Sequence, residues 1–170
     1  MTQVREPLGA ATAVLVRRSL VGLTVITILA TAFELATERH WHGFEQLVPW
    51  LALVVLTVAT VLGLRPGGWG RVAVLVLVLL VLAASIYGVI DHILVNYRSG
   101  ALDQHFADTW ESLPSARRWW YATTKTVGPS PPLAPGALGL AALLLLLASL
   151  IDTRPRSSPI PDRPDTTPRV

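Results

Sequence analysis

Cysteine is absent from the 170 residues, which excludes disulfides, thiolate metal sites and a cysteine nucleophile. Any metal would have to be held by histidine and carboxylate side chains. Charge is scarce as well: 15% of residues are charged, against about 25% in an ordinary soluble domain. Lysine is nearly missing, since Lys125 is the only one among 14 basic residues. The rest are arginines, which suit phosphate headgroups as well as carboxylates. The net charge of +3 is small, and the arginines flank apolar runs instead of forming a stripe, so nucleic acid is not an expected partner. Also missing are a serine elbow, a glycine-rich nucleotide fingerprint and a P-loop. No catalytic residue is assigned. What the chain has in excess is apolar residues, at 52%, and the lipid bilayer is its expected partner.

A hydrocarbon core roughly 30 Å thick takes about 20 apolar residues in a helix. Four runs approach that length: Ser19 to about Thr37, Val48 to Leu64, Val72 to Ile90, and about Leu133 to Ile151. Their Val- and Leu-rich composition lacks the period-two alternation of an outer-membrane barrel. Arg65 to Arg71, with Pro66 and three glycines, reads as a tight turn that makes the second and third spans an antiparallel hairpin. Pro49 and Pro135 are expected in the first turns of their helices, where a missing N–H costs nothing. The expected fold is therefore all-α, a four-transmembrane-helix bundle occupying residues 19–151. It is preceded by an N-terminal segment, 1–18, and followed by a tail, 152–170.

Arginine and lysine placement sets the orientation. Nine basic residues, among them Arg17, Arg18, Arg65 and Arg71, fall on the side of the termini, and five fall on the other. By the positive-inside rule both termini are cytoplasmic, in a multi-pass protein of the cell (inner) membrane. A competing reading takes Arg17, Arg18 and the following apolar run, with Ala30-Thr31-Ala32, as a cleaved signal peptide. The run and its leader are long for that purpose.

Outside the spans, Leu102, Phe106, Thr109, Trp110 and Leu113 recur at helical spacing within the outer loop 97–132. This predicts an amphipathic helix on the outer surface, ended by Pro114. Trp110, Trp119, Trp120 and Tyr121 are expected to anchor at headgroup depth. Val127 to Gly136, with four prolines, predicts a stiff extended entry to the last helix. The tail after Asp152 is rich in proline and alternating charge, and disorder is expected.

Ionisable groups near the hydrocarbon are costly and mark candidate sites. Here they gather at the outer ends of the spans. Glu34 and Glu38 lie one turn apart, followed by His40 and His42, and Asp91, His92 and Asn96 arrive at the same depth on the third helix. Ser85 and Gly88 precede His92 and Asn96 at helical spacing, so that face accepts a close neighbour. If the neighbour is the first helix, Glu34 and Glu38 reach Asp91, His92 or Asn96. The result is then a hydrogen-bonded clamp, a site for a divalent metal or proton, or a haem site with histidine ligands. No cofactor is otherwise implied.

Three stretches carry a resemblance: Glu38-Arg39-His40-Trp41-His42-Gly43-Phe44-Glu45-Gln46, Asp91-His92 with Asn96, and Pro131 to Gly136. Together they resemble small four-helix bacterial integral membrane proteins of unassigned function, over about Ser19 to Leu150. The resemblance implies the fold and points to the outer polar residues, without an activity. The expected function is a noncatalytic accessory or assembly component, with a membrane-protein partner or a second copy of the chain as candidate partners. The alternative is an outer-facing metal or haem site serving transport or redox chemistry.

Overall fold

A computed structural model describes residues 8–64 and 68–151. They form α1 (Leu8–Thr37), α2 (Phe44–Gly63), α3 (Gly68–Ser99), α4 (Ser115–Thr123) and α5 (Gly136–Leu150), with no strand among them. The tail after Ile151, for which disorder is expected, and the turn at 65–67 lie outside the described residues.

Three helices, α1, α2 and α3, are long and apolar enough to cross a membrane. α5 has 15 residues and a length of about 22 Å at 1.5 Å per residue, short of a full crossing by itself. Neighbours run antiparallel, so one end of the bundle, the turn end, carries Arg17, Gly63, Val74 and Leu145. The opposite, cap end carries Glu38, Glu45, Asp91 and Pro135. Around the bundle the order is α1, α2, α3, α5: α5 packs broadly on α1 and α3, α2 packs broadly on α3 and more narrowly on α1, and α1 and α3 barely meet. The core is a seam of Leu56, Ala59, Val74, Val78, Val81, Ala142 and Leu145. Small residues on α2 and α5 let those helices approach closely, as membrane helices do in the absence of a hydrophobic drive between them. Large apolar side chains such as Leu23, Ile26, Leu29 and Phe33 face outward, as a lipid solvent allows.

The helices outrun the apolar stretches. α1 begins at Leu8 instead of Ser19, so residues 8–18 are helix, and Arg17 donates from Nη2 to the carbonyl of Gly63 at the end of α2. α2 begins at Phe44 instead of Val48, which puts Pro49 inside the helix, where its ring withholds the N–H that would meet the Glu45 carbonyl. α3 continues from Ile90 to Ser99. Hydropathy marks where lipid ends, whereas helical hydrogen bonding continues into water until a capping signal stops it. Ala30-Thr31-Ala32 lies within α1, and Thr31 is buried.

The amphipathic helix expected over 102–113 is not formed. Residues 104–109 are turns between two short 3-10 helices, Gly100–Leu102 and Trp110–Ser112. Asp103 Oδ1 accepts from His105 N at 2.9 Å, a local side-chain bond that competes with helix. The surface helix is α4 instead, and Pro114 precedes its first residue. This cap is held by aromatics. Trp110 is 2% exposed and lies flat against Gly100, where any Cβ would collide with the indole. Tyr97, on the last turn of α3, meets Trp110 edge-on at 5.7 Å and stacks on Trp119 at 4.4 Å. Arg118 sits 5.7 Å from the Tyr97 ring centre and pairs with Glu111 at 3.2 Å. Of the four expected anchors, Trp110 is therefore interior and Tyr121 half-buried against Phe106. Trp119 and Trp120 are exposed.

Candidate functional site

The polar face of α3 receives the proline-rich segment rather than α1. Prolines have no N–H, so this segment is short of its own donors, and only some of its carbonyls are met from within, as Pro131 O is by Ala134 N at 3.2 Å. α3 supplies further donors in a ladder. Ser85 Oγ donates to the Pro135 carbonyl at 2.8 Å, His92 Nδ1 to that of Pro131 at 2.8 Å, and Asn96 Nδ2 to that of Ser130 at 2.7 Å. Asn96 also donates to Ala122 O at 3.1 Å and accepts from Ser130 N at 2.9 Å. Gly88 brings its Cα up to Pro135, and Gly128, at φ +82, fits over Asn96. The expected close approach is present with a different partner: α1 lies across the bundle, and none of the hydrogen bonds or ion pairs among the described residues joins Glu34 or Glu38 to Asp91, His92 or Asn96.

The same residues nevertheless share a space. Between α1 and α3, at the cap end, a cleft of about 570 Å³ is lined from all four apolar helices and from the segment entering α5. Glu34 comes from α1 and Glu38 from the turn that ends it, Glu45 from α2, Asp91 and His92 from α3, with His40 from the α1–α2 loop and Lys125 from the turn after α4. Deeper, Thr31, Ala52, Ala84 and Leu138 form its floor. His42 and Asn96 are not among the lining residues. His42 bonds Arg39 O through Nδ1 at 2.8 Å and stacks beside Trp41, while Asn96 is wholly buried in the ladder.

Local geometry explains how His40 reaches the cleft. α1 ends with Arg39 at φ 50 and a bond from His40 N to Leu35 O at 2.9 Å. This is a Schellman-type stop in which arginine takes the left-handed position that glycine usually fills. Trp50 Nε1 then fixes the His40 carbonyl at 2.7 Å, and Gln46 Oε1 accepts from His42 N at 2.7 Å. Lys125, the other non-glycine at positive φ, turns the chain at the opposite rim. Burial holds the His40 imidazole below its ordinary pKa, and the nearby His92 adds to the effect while Glu38 opposes it.

Because the His92 Nδ1 meets a carbonyl, it carries a proton, and Nε2 is the ring nitrogen left for another partner. That is the arrangement of a ligating histidine. Among the described residues, however, no three His, Cys, Asp or Glu side chains are grouped to hold a metal ion. The carboxylates are dispersed over three walls. Thr31 and Lys125 escape sequence reasoning. Thr31 reads as one more apolar-run threonine, and Lys125 belongs to a loop whose return over the bundle no local pattern announces. No protein family, curated protein or solved structure matches this chain.

Proposed function

We propose that the chain is a noncatalytic multi-pass component of a cell membrane, with four crossings and both termini in the cytoplasm. Its cap-end cleft is then an outward-facing vestibule that receives a ligand or a polar group of a partner protein. Three crossings follow from the length and apolarity of α1, α2 and α3. The fourth combines α5 with the entry that precedes it. Non-helical backbone is tolerated at membrane depth where protein buries and satisfies it, and the donors from Ser85 and His92 do so here. The excess of arginine at the turn end supports the orientation.

The observation that carries the reading is the convergence in one cleft of ionisable groups from α1 and the loop after it, from α2, from α3 and from the turn after α4. Among the described residues, the single ion pair is Arg118–Glu111, which involves none of these carboxylates. Groups so costly at the edge of the hydrocarbon are retained where they face water or a ligand. In intact cells, a membrane-impermeant thiol reagent should label single cysteines placed at Ser115 and Thr31 and spare one at Gly68 until the membrane is opened. Labelling at Gly68 would refute the orientation; protection at Thr31 with labelling at Ser115 would refute the vestibule.

A haem reading has a narrower basis, in that His40 and His92 both line the cleft. Protein purified in mild detergent with a Soret band would establish it. A membrane protein that co-purifies in stoichiometric amount without such a band would support the accessory role.

A further inference from the structure

The floor of the cleft holds an unusual threonine. Thr24, Thr27, Thr57 and Thr60 on α1 and α2 each return their hydroxyl to the carbonyl four residues earlier, at 2.7–2.9 Å. Thr31 lies on the same helix as the first two and is 6% exposed, yet its hydroxyl has no hydrogen-bond partner, although it lines the cleft. Its oxygen is not sealed from solvent, since the buried side-chain polar atom without a partner among the described residues is Arg118 Nε; it opens on the cleft although the adjacent backbone carbonyl offered the bond that Thr24 and Thr27 make. A hydroxyl turned toward the cleft, with no partner in the protein, is placed to meet a ligand atom or a water.

The field in the cleft specifies the sign of that ligand. Glu34, Glu38, Glu45 and Asp91 face a single ammonium, Lys125, and His40, with its depressed pKa, adds no positive charge at neutral pH. The dispersal of the four carboxylates specifies the shape. A compact metal ion needs donors that converge at about 2.0–2.6 Å, and no such group exists among the described residues. A bulky cation is instead attracted by the summed field of separated carboxylates. Below them the lining turns apolar, with Leu35, Val48, Ala52, Ala84 and Leu138. The volume of about 570 Å³ lies within the roughly 300–1,000 Å³ typical of small-molecule sites.

We infer that the vestibule binds an organic ammonium ion with an apolar body. Its charge is held among the carboxylates, its apolar part lies against the α2, α3 and α5 walls, and a polar atom meets the Thr31 hydroxyl. The inference rests on the cleft being an open vestibule.

The lack of native cysteine allows a test at the floor itself. Thr31→Cys protein in nanodiscs is reacted with a trimethylammonium-bearing methanethiosulfonate and with its sulfonate analogue, each rate divided by its rate on a free thiol. The cationic reagent should be favoured by at least about tenfold, a ratio that Glu34→Gln lowers. Phenethylammonium should slow the modification, whereas 2-phenylethanol, its uncharged isostere, and magnesium at equal ionic strength should not. Direct titration of the unaltered protein with 4-hydroxyphenethylammonium, which adds a polar atom to the apolar end, followed by calorimetry, covers the case in which the cysteine variant does not fold. Charge-independent rates, equal protection by the alcohol, or no calorimetric binding would overturn the ammonium site while leaving the vestibule in place. Failure of both reagents to reach a folded Thr31→Cys protein would overturn the vestibule and the inference together.

Discussion

Replacing Asn96 with alanine tests the ladder that positions the cleft's fourth wall. The side chain is 0% exposed and makes three hydrogen bonds, to Ala122 O, to Ser130 O and from Ser130 N. At about 1 kcal/mol net per bond, the direct loss is roughly 3 kcal/mol, and any of the three backbone groups left dry adds to it. A chain of this size shifts its midpoint by roughly 2–4 °C per kcal/mol, so the expected fall is roughly 6–12 °C. Differential scanning fluorimetry in a fixed detergent reads it. Asn96→Asp is the sharper perturbation, because it keeps the acceptor for Ser130 N and replaces the donor with an oxygen facing two carbonyls. It should lose at least as much as alanine at neutral pH and recover part of the loss on acidification, as the carboxyl regains a proton to donate. An Asn96→Ala midpoint within 2 °C of the parent, set against the roughly 2–4 °C per kcal/mol above, would refute the claim that these bonds hold the proline-rich segment.

Trp110→Ala should be among the most destabilising single changes, by roughly 3–5 kcal/mol for a fully buried indole, whereas Trp120→Ala, at an exposed ring, should move the midpoint little; thermal melts of the pair compare them directly. Gly128→Ala combines a left-handed backbone with a Cβ placed 2.5 Å from Asn96 Cα, and a loss of about 2 kcal/mol or more is expected in the same assay. The His40 pKa is lowered on folding, so between the unfolded value of 6.5 and the lower folded value the unfolded chain binds more protons. Its contribution is complete above pH 6.5 and is lost as pH falls through that window. Melting midpoints collected against pH should show that slope, and His40→Gln should remove it.

Much of this was readable beforehand, for physical reasons that differ by element. Apolar runs announce helices because lipid tolerates no unpaired backbone, and alternating helix direction then brings Glu34, Glu38, His40, Asp91 and His92 to one end whatever the packing. Helix limits were less legible, since nothing apolar distinguishes Arg17 or Asn96 from loop residues, although both lie in or at the end of regular helix. The spacing of Ser85, Gly88, His92 and Asn96 signalled a close neighbour but not which one. The proline-rich segment is short of N–H groups of its own, and a lack has no periodicity to detect. Over 102–113 the spacing suited a helix, but the Asp103 side chain and the burial of Trp110 against Gly100 prevailed. Thr31 became informative only when its hydroxyl could be compared with those of Thr24, Thr27, Thr57 and Thr60.

The place of α5 between α1 and α3 also bears on how the molecule is made. Ser85, His92 and Asn96 on α3 take their carbonyl partners from Ala122, Ser130, Pro131 and Pro135, all of which are made after the first three helices. A chain cut between Ser99 and Ala122 would keep α1, α2 and α3 and leave the donors on Ser85, His92 and Asn96 without their carbonyl partners. The stretch from Ala122 through α5 thus acts as a keystone, because it closes the bundle and supplies the acceptors that α3 already carries donors for.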